Sequence, residues 1–229
     1  MRTQTLIAAL ALSFAALSSA QAGGDVKGVV ELFTSQGCSD CPPADKVLGE
    51  FINRNGVIGL AWHVDYWDYL GWKDTFSSKT ATARQRGYAR SVSDGVYTPQ
   101  IIVNGDTVAR NSNFNGSINS ALFGGLPVTL NVTRNGGKLS IDAGQGSGSA
   151  NLYMVTYTEL ANVAIGRGEN GGRNVDYRHA VSGAKAIGKW SGAAATFDLA
   201  APGKGRGCAI LLQRGSVTGP GAIIGAAMC

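Results

Sequence analysis

Cys38 and Cys41 are separated only by Ser39 and Asp40, a spacing that lets two thiols meet across one turn of chain. Such a pair can carry thiol–disulfide exchange, in which one thiolate attacks a partner sulfur and the second thiol releases the mixed disulfide. The attacking thiolate is favoured at a helix N-terminus, where unpaired N–H groups and a partial positive charge stabilise it. Pro42-Pro43 follow at once and suit a first helical turn. Cys38 is therefore expected to attack and Cys41 to resolve. Asp40 places a carboxylate inside the pair, which opposes thiolate formation and offsets part of the helix-end effect. C-x-x-C also occurs as half of a zinc site, but Cys208 and Cys229 have the wrong spacing for the other half. An inert structural bridge is the remaining alternative.

Three further groups are candidates for tuning the pair or binding a partner. Glu31 lies inside an apolar run, where a carboxylate must be paired or wet; it either tunes the pair or sits on a half-exposed strand face. His63 ends a second apolar run and either tunes the Cys38 thiolate or is a hydrogen-bonded core residue. The aromatic, acidic stretch Asp65 to Asp74 is either a substrate platform or a lid over buried Trp side chains. Glu169, Arg173, Tyr177, Arg178 and His179 form a later polar group, for which a structural role is expected, as an ion-pair network or an interface.

The elements that must position these residues follow from periodicity. Val29 to Phe33 reads as a buried strand, and Val47, Leu48, Phe51 and Ile52 recur at helical spacing after Pro42-Pro43. A strand over 57–64, a helix over about 79–91 with polar face Arg84, Gln85 and Arg90, and a strand over 100–103 come next. Asn104-Gly105 signals a hairpin into Thr107 to Arg110, and a short helix over roughly 115–123 ends at Gly124-Gly125. From Leu126 the pattern changes to short strands between turn residues, expected at 127–133, 138–143, 151–158, 194–199, 207–213 and 222–227.

Composition narrows the class. Arg2, the apolar run Leu6 to Leu17 and Ala20-Gln21-Ala22 read as a cleaved signal peptide over residues 1–22, too short in its apolar part to span a bilayer. A periplasmic or secreted location is thus expected, with no membrane association after cleavage. The rest, about 207 residues, can bury a sizeable core. Its four cysteines meet an oxidising compartment, where Cys38–Cys41 and Cys208–Cys229 are the expected disulfides among three connectivities. The net charge of +5 is scattered, which gives nucleic-acid binding little support. No Gly-rich phosphate loop joins a strand to a helix, so no organic cofactor is expected, and no metal is assigned.

The strand, cysteine pair and helix, followed by Thr98-Pro99 before another strand, resemble the thioredoxin fold. That resemblance implies a cis Pro99 beside the cysteines, with Thr98 and Pro99 orienting an extended partner backbone. Longer stretches are similar to one family of exported bacterial proteins, DUF1223. They are VVELFTSQGCSDCPPADKVL (29–48), HVDYWDYLGWKD (63–74), VYTPQIIVNG (96–105) and GENGGRNVDYRHAV (168–181). The expected architecture is an α/β thioredoxin-like domain over 23–125, followed by an all-β antiparallel sandwich-like domain over 126–229 that selects the partner or dimerises. The expected activity is thiol–disulfide exchange on a protein or peptide thiol. Two other classes compete with it: copper handling by Cys38, Cys41 and His63, and a non-catalytic binding module using the aromatic loop.

Overall fold

The computed structural model describes residues 20–22 and 26–229. Most of the expected signal peptide therefore lies outside the described residues. In chain order the elements are β1 (Ala20–Ala22), β2 (Gly28–Thr34), α1 (Cys41–Ile52), β3 (Val57–His63), α2 (Lys79–Ser91), β4 (Gln100–Val103), β5 (Thr107–Ala109) and α3 (Phe114–Leu122). There follow β6 (Leu130–Asn135), β7 (Lys138–Ala143), β8 (Ala150–Ala164), β9 (Asn174–Trp190), β10 (Ala195–Ala200), β11 (Gly207–Gly215) and β12 (Pro220–Met228).

The expected class, an α/β thioredoxin-like domain followed by a separate all-β sandwich, is overturned by the strand order. One eight-stranded mixed sheet runs β12-β11-β8-β9-β3-β2-β4-β5 and draws strands from both halves of the chain. Its junction is the parallel pairing of β9 with β3, in register at Ala61 and Ala180. A strand edge is a row of unpaired N–H and C=O groups, and β9 satisfies the edge that β3 would otherwise present. β6, β7 and β10 form a second sheet, with β1 antiparallel to β6 at its edge.

Alternation along β2 distributes its side chains between two cores. Val30 and Leu32 pack under α1 and α3 with Leu48, Phe51, Ile101 and Ile118. Val29 and Phe33 face the other way, toward Trp62 and Tyr88, in a core that also takes Tyr153, Tyr157 and Leu211 from the C-terminal strands. β12 reaches the turn between β4 and β5, where Ile223 N donates to Asn104 O at 2.8 Å. Asn104 and Gly105 both have positive φ, as the tight β4–β5 turn requires. The second sheet packs Val132, Leu139 and Ile141 against Leu152, Trp190, Ile210 and Leu212.

Glu31 falls on the α2 face and is fully buried, not half-exposed. Arg84 reaches it through Nε at 2.8 Å and Nη2 at 3.0 Å. The expected polar face of α2 is corrected accordingly: Arg84 and Gln85 are buried.

Cys208 and Cys229 are bonded, tying β11 to the end of β12. Closing a loop of 21 residues restricts the unfolded chain, and losing such a closure typically lowers stability by about 3 kcal/mol. Chemical denaturation of the Cys208→Ala/Cys229→Ala double variant is expected to show a loss of that order. A midpoint equal to that of the parent would reject it.

Candidate functional site

β2 ends at Thr34, and the chain then turns through Ser35–Asp40 into α1. Cys38 N donates to Ser35 O and Cys41 N to Cys38 O, each at 3.2 Å. These turns bring the two cysteines together as a disulfide with Cα atoms 5.4 Å apart. Cys41 is the first residue of α1 and Cys38 lies in the turn before it, with Pro42 and Pro43 in the first helical turn. Asp40 is the exposed N-cap and makes no side-chain capping bond.

Neither sulfur-bearing residue is open to solvent: Cys38 is 2% exposed and Cys41 is fully buried. The pair is thus not the open site that an incoming chain would meet directly. The loop that carries it is held from the C-terminal half of the chain. The turn between β8 and β9 carries Asn170, a fully buried residue. Its Nδ2 donates to Cys38 O at 2.7 Å and to Gln36 O at 3.0 Å. Beside it, Ser39 N donates to Glu169 Oε2 at 3.1 Å.

The aromatic stretch supports this loop from the other side. Trp72 Nε1 donates to Gln36 Oε1 at 2.9 Å, and Gln36 N donates to Asp74 Oδ2 at 2.8 Å. Trp67 Nε1 donates to Thr98 Oγ1 at 2.8 Å, while a Cβ on Gly37 would lie 3.1 Å from Trp67 Cβ. Trp67 therefore links the cysteine loop to the Thr98-Pro99 peptide, which is cis. The stretch is mainly a scaffold with half-buried Trp67 and Trp72; Tyr69 alone of its aromatics is largely exposed, at 79%.

Behind the disulfide lies a buried polar cluster. His63 Nδ1 is 2.7 Å from Asp74 Oδ2, with both side chains fully buried. The edge-on ring of Tyr177 packs against His63, with centroids 4.9 Å apart. Asp45 accepts a hydrogen bond from Thr34 Oγ1 at 3.0 Å. It lies four residues after Cys41, hence on the same face of α1 one turn along. Burial pushes the Asp45 carboxyl up to about 7, with Asp74 adding to the rise and His63 and Thr34 opposing it. Burial also acts to raise Asp74, but the charge and hydrogen bond of His63 and the amides of Gln36 and Phe76 outweigh it and hold this carboxyl below its usual range. The Tyr177 hydroxyl is raised by burial and by the two nearby carboxylates. Among the described residues, His63 Nε2 and the Tyr177 hydroxyl have no hydrogen-bond partner. Asp45 also borders a cleft of about 610 Å³ between α1 and the start of β9, where Lys46, Glu50, Arg173 and Arg178 face one another.

Of the residues singled out in the sequence, Cys38 and Cys41 are joined directly. Thr98 and Pro99 connect to their loop through Trp67, and His63 connects through Asp74. Glu31 is not part of this site; it belongs to the α2 core with Arg84. Among the described residues no three His, Cys, Asp or Glu side chains are grouped to hold a metal ion, so His63 does not join the cysteines in a ligand set. Sequence reasoning missed Asp45 and the hydrogen bonds of Asn170 to the cysteine loop. For Asp45 a signal exists: it occupies the stripe Cys41, Ala44, Leu48 and Phe51 that α1 buries. For Asn170, 132 residues from Cys38, no local signal exists.

No helix among the described residues is long and apolar enough to cross a membrane. The comparison with curated proteins returns no match. Among solved structures, the crystal structure of a protein from Agrobacterium tumefaciens is similar at 40% identity and a TM-score of 0.80, covering 90% of this chain and 94% of its own. The family described as "Protein of unknown function (DUF1223)" matches residues 29–213. That span takes in the cysteine loop, the aromatic scaffold, the cis peptide and the Asn170 turn, and the chain belongs to the DUF1223 family.

Proposed function

We propose that this protein is an exported thiol–disulfide exchange protein acting on protein or peptide thiols through Cys38 and Cys41. The observation that carries this reading is a bonded C-x-x-C pair at the start of α1 with a buried carboxyl of raised pKa one turn behind it. In the oxidised form a partner thiolate attacks Cys38 Sγ, forming an intermolecular disulfide and breaking the bond to Cys41 Sγ. Cys41 leaves as a thiolate and takes up a proton. With its carboxyl near 7, Asp45 keeps a proton in a substantial share of molecules close to neutral pH and can supply it, recovering one from the adjoining cleft. A second partner thiolate then displaces Cys38, so the partner becomes a disulfide and the protein a dithiol. Run in reverse, the same steps reduce a partner disulfide.

Two disulfides and the Arg2-to-Ala22 leader pattern support a compartment outside the reducing cytosol. The insulin-reduction assay with excess dithiothreitol tests the activity. Wild type is expected to accelerate reduction, Cys38→Ser and Cys41→Ser to abolish the acceleration, and Cys208→Ala/Cys229→Ala to retain it. Equal rates for wild type and Cys38→Ser would overturn the proposal.

A further inference from the structure

The polar groups around Cys38 are already engaged by the protein's own chain. An Asn side chain offers two donors and an acceptor. In Asn170 all are used: Nδ2 serves the carbonyls of Gln36 and Cys38, and Oδ1 accepts from Arg173 Nη1 at 2.9 Å. Glu169 takes the amide of Ser39, which lies between the two cysteines. An extended peptide passing Cys38 would bring N–H donors and C=O acceptors, the same complement that the turn now provides.

The turn also holds itself together. Gly172 N donates to Ile165 O at 2.7 Å, Ile165 N to Arg173 O at 2.9 Å, and Gly171 N to Gly168 O at 3.0 Å. Gly168 and Gly172 have φ of +79° and +81°, conformations that suit glycine. The segment is therefore a preformed unit. Its polar hold on the cysteine loop is three hydrogen bonds from two side chains, supplemented where Gly166 and Gly168 lie against Trp72. Such a contact can open without dismantling the core.

We propose that the turn over residues 165–173 is an autoinhibitory cover, latched by Asn170 and Glu169, which an extended peptide segment of the partner must displace to reach Cys38. This rests on the exchange activity proposed above, and it assigns the partner a chemistry: a backbone able to replace the two donors of Asn170 and the acceptor of Glu169.

The test measures chemical access and needs no protein partner. Oxidised protein is exposed to dithiothreitol, quenched by alkylation, and Cys38–Cys41 opening is followed by peptide mass, with Cys208–Cys229 as an internal reference. Removing two hydrogen bonds in Asn170→Ala is expected to speed reduction of Cys38–Cys41 about twenty-five-fold. Removing one in Glu169→Ala is expected to speed it about fivefold. Glu169 is exposed, so its variant decides the matter should Asn170→Ala lose its circular-dichroism signature. Rates within about twofold of wild type in every folded variant would overturn the cover. Faster reduction in these variants without any insulin turnover would instead support the cover and sink the exchange activity.

Discussion

Asp45→Asn is expected to stabilise the protein at pH 8 and to leave its stability nearly unchanged close to pH 4. Burial holds the Asp45 carboxyl near 7 in the fold, against an ordinary value of 3.8. Between those values the native state binds more protons than the unfolded state, so wild-type stability falls as pH rises. The slope approaches about 1.4 kcal/mol per pH unit, and the full penalty above pH 7 is on the order of 4 kcal/mol. Below the ordinary value both states hold the proton and the penalty vanishes. An amide keeps the shape and can still accept from Thr34 Oγ1, but it carries no charge to desolvate. The groups facing this site are His63, Asp74 and Tyr177 behind it and Lys46, Glu50, Arg173 and Arg178 at the cleft. Urea denaturation of both proteins from pH 4 to 8 checks the expectation. A pH-independent difference, or a less stable variant at pH 8, would contradict it.

Arg84→Met is expected to be strongly destabilising. Glu31 is fully buried and Arg84 is 2% exposed, and the guanidinium also donates to Tyr88 and Gln213 at 3.0 and 2.9 Å. The Tyr88 hydroxyl in turn donates to Glu31. Truncating the cation leaves a carboxylate without its countercharge in a dry core, a change worth about 3–5 kcal/mol. The double variant Glu31→Leu/Arg84→Met removes both charges and is expected to recover most of that loss. Since this network lies on the α2 face and not behind the cysteines, dithiothreitol should reduce Cys38–Cys41 at the parent rate in the folded variants. A loss under about 1 kcal/mol in the single variant would refute the account.

Local structure was legible where a short window contained its cause. Gln100–Val103, the Asn104-Gly105 turn and α2 occur at the expected positions because apolar runs, turn residues and helical spacing act within about ten residues. The architecture was not legible, chiefly because β9 was unrecognised. Its 17 residues, NVDYRHAVSGAKAIGKW, include charges and glycines and bury only part of one face. They look like a connection until β8 pairs along them and β3 takes their other edge. Arg84 and Gln85 misled for a related reason: residue type alone suggested solvent, while partners at Glu31, Tyr97 and Gln100 pay for their burial. The cysteine loop was readable from its spacing, but the side-chain hydrogen bonds to its carbonyls come from a residue far away in sequence.

The strand that carries the Asn170 turn at one end also shields the edge of β3. Natural variation or protein engineering aimed at a more reactive pair therefore has little freedom in β9 itself, because loosening that strand would bare a template for intermolecular pairing and clumping. Adjustment of reactivity is confined to the few residues of the bend, where side chains can be exchanged without touching the seam between the two halves of the molecule.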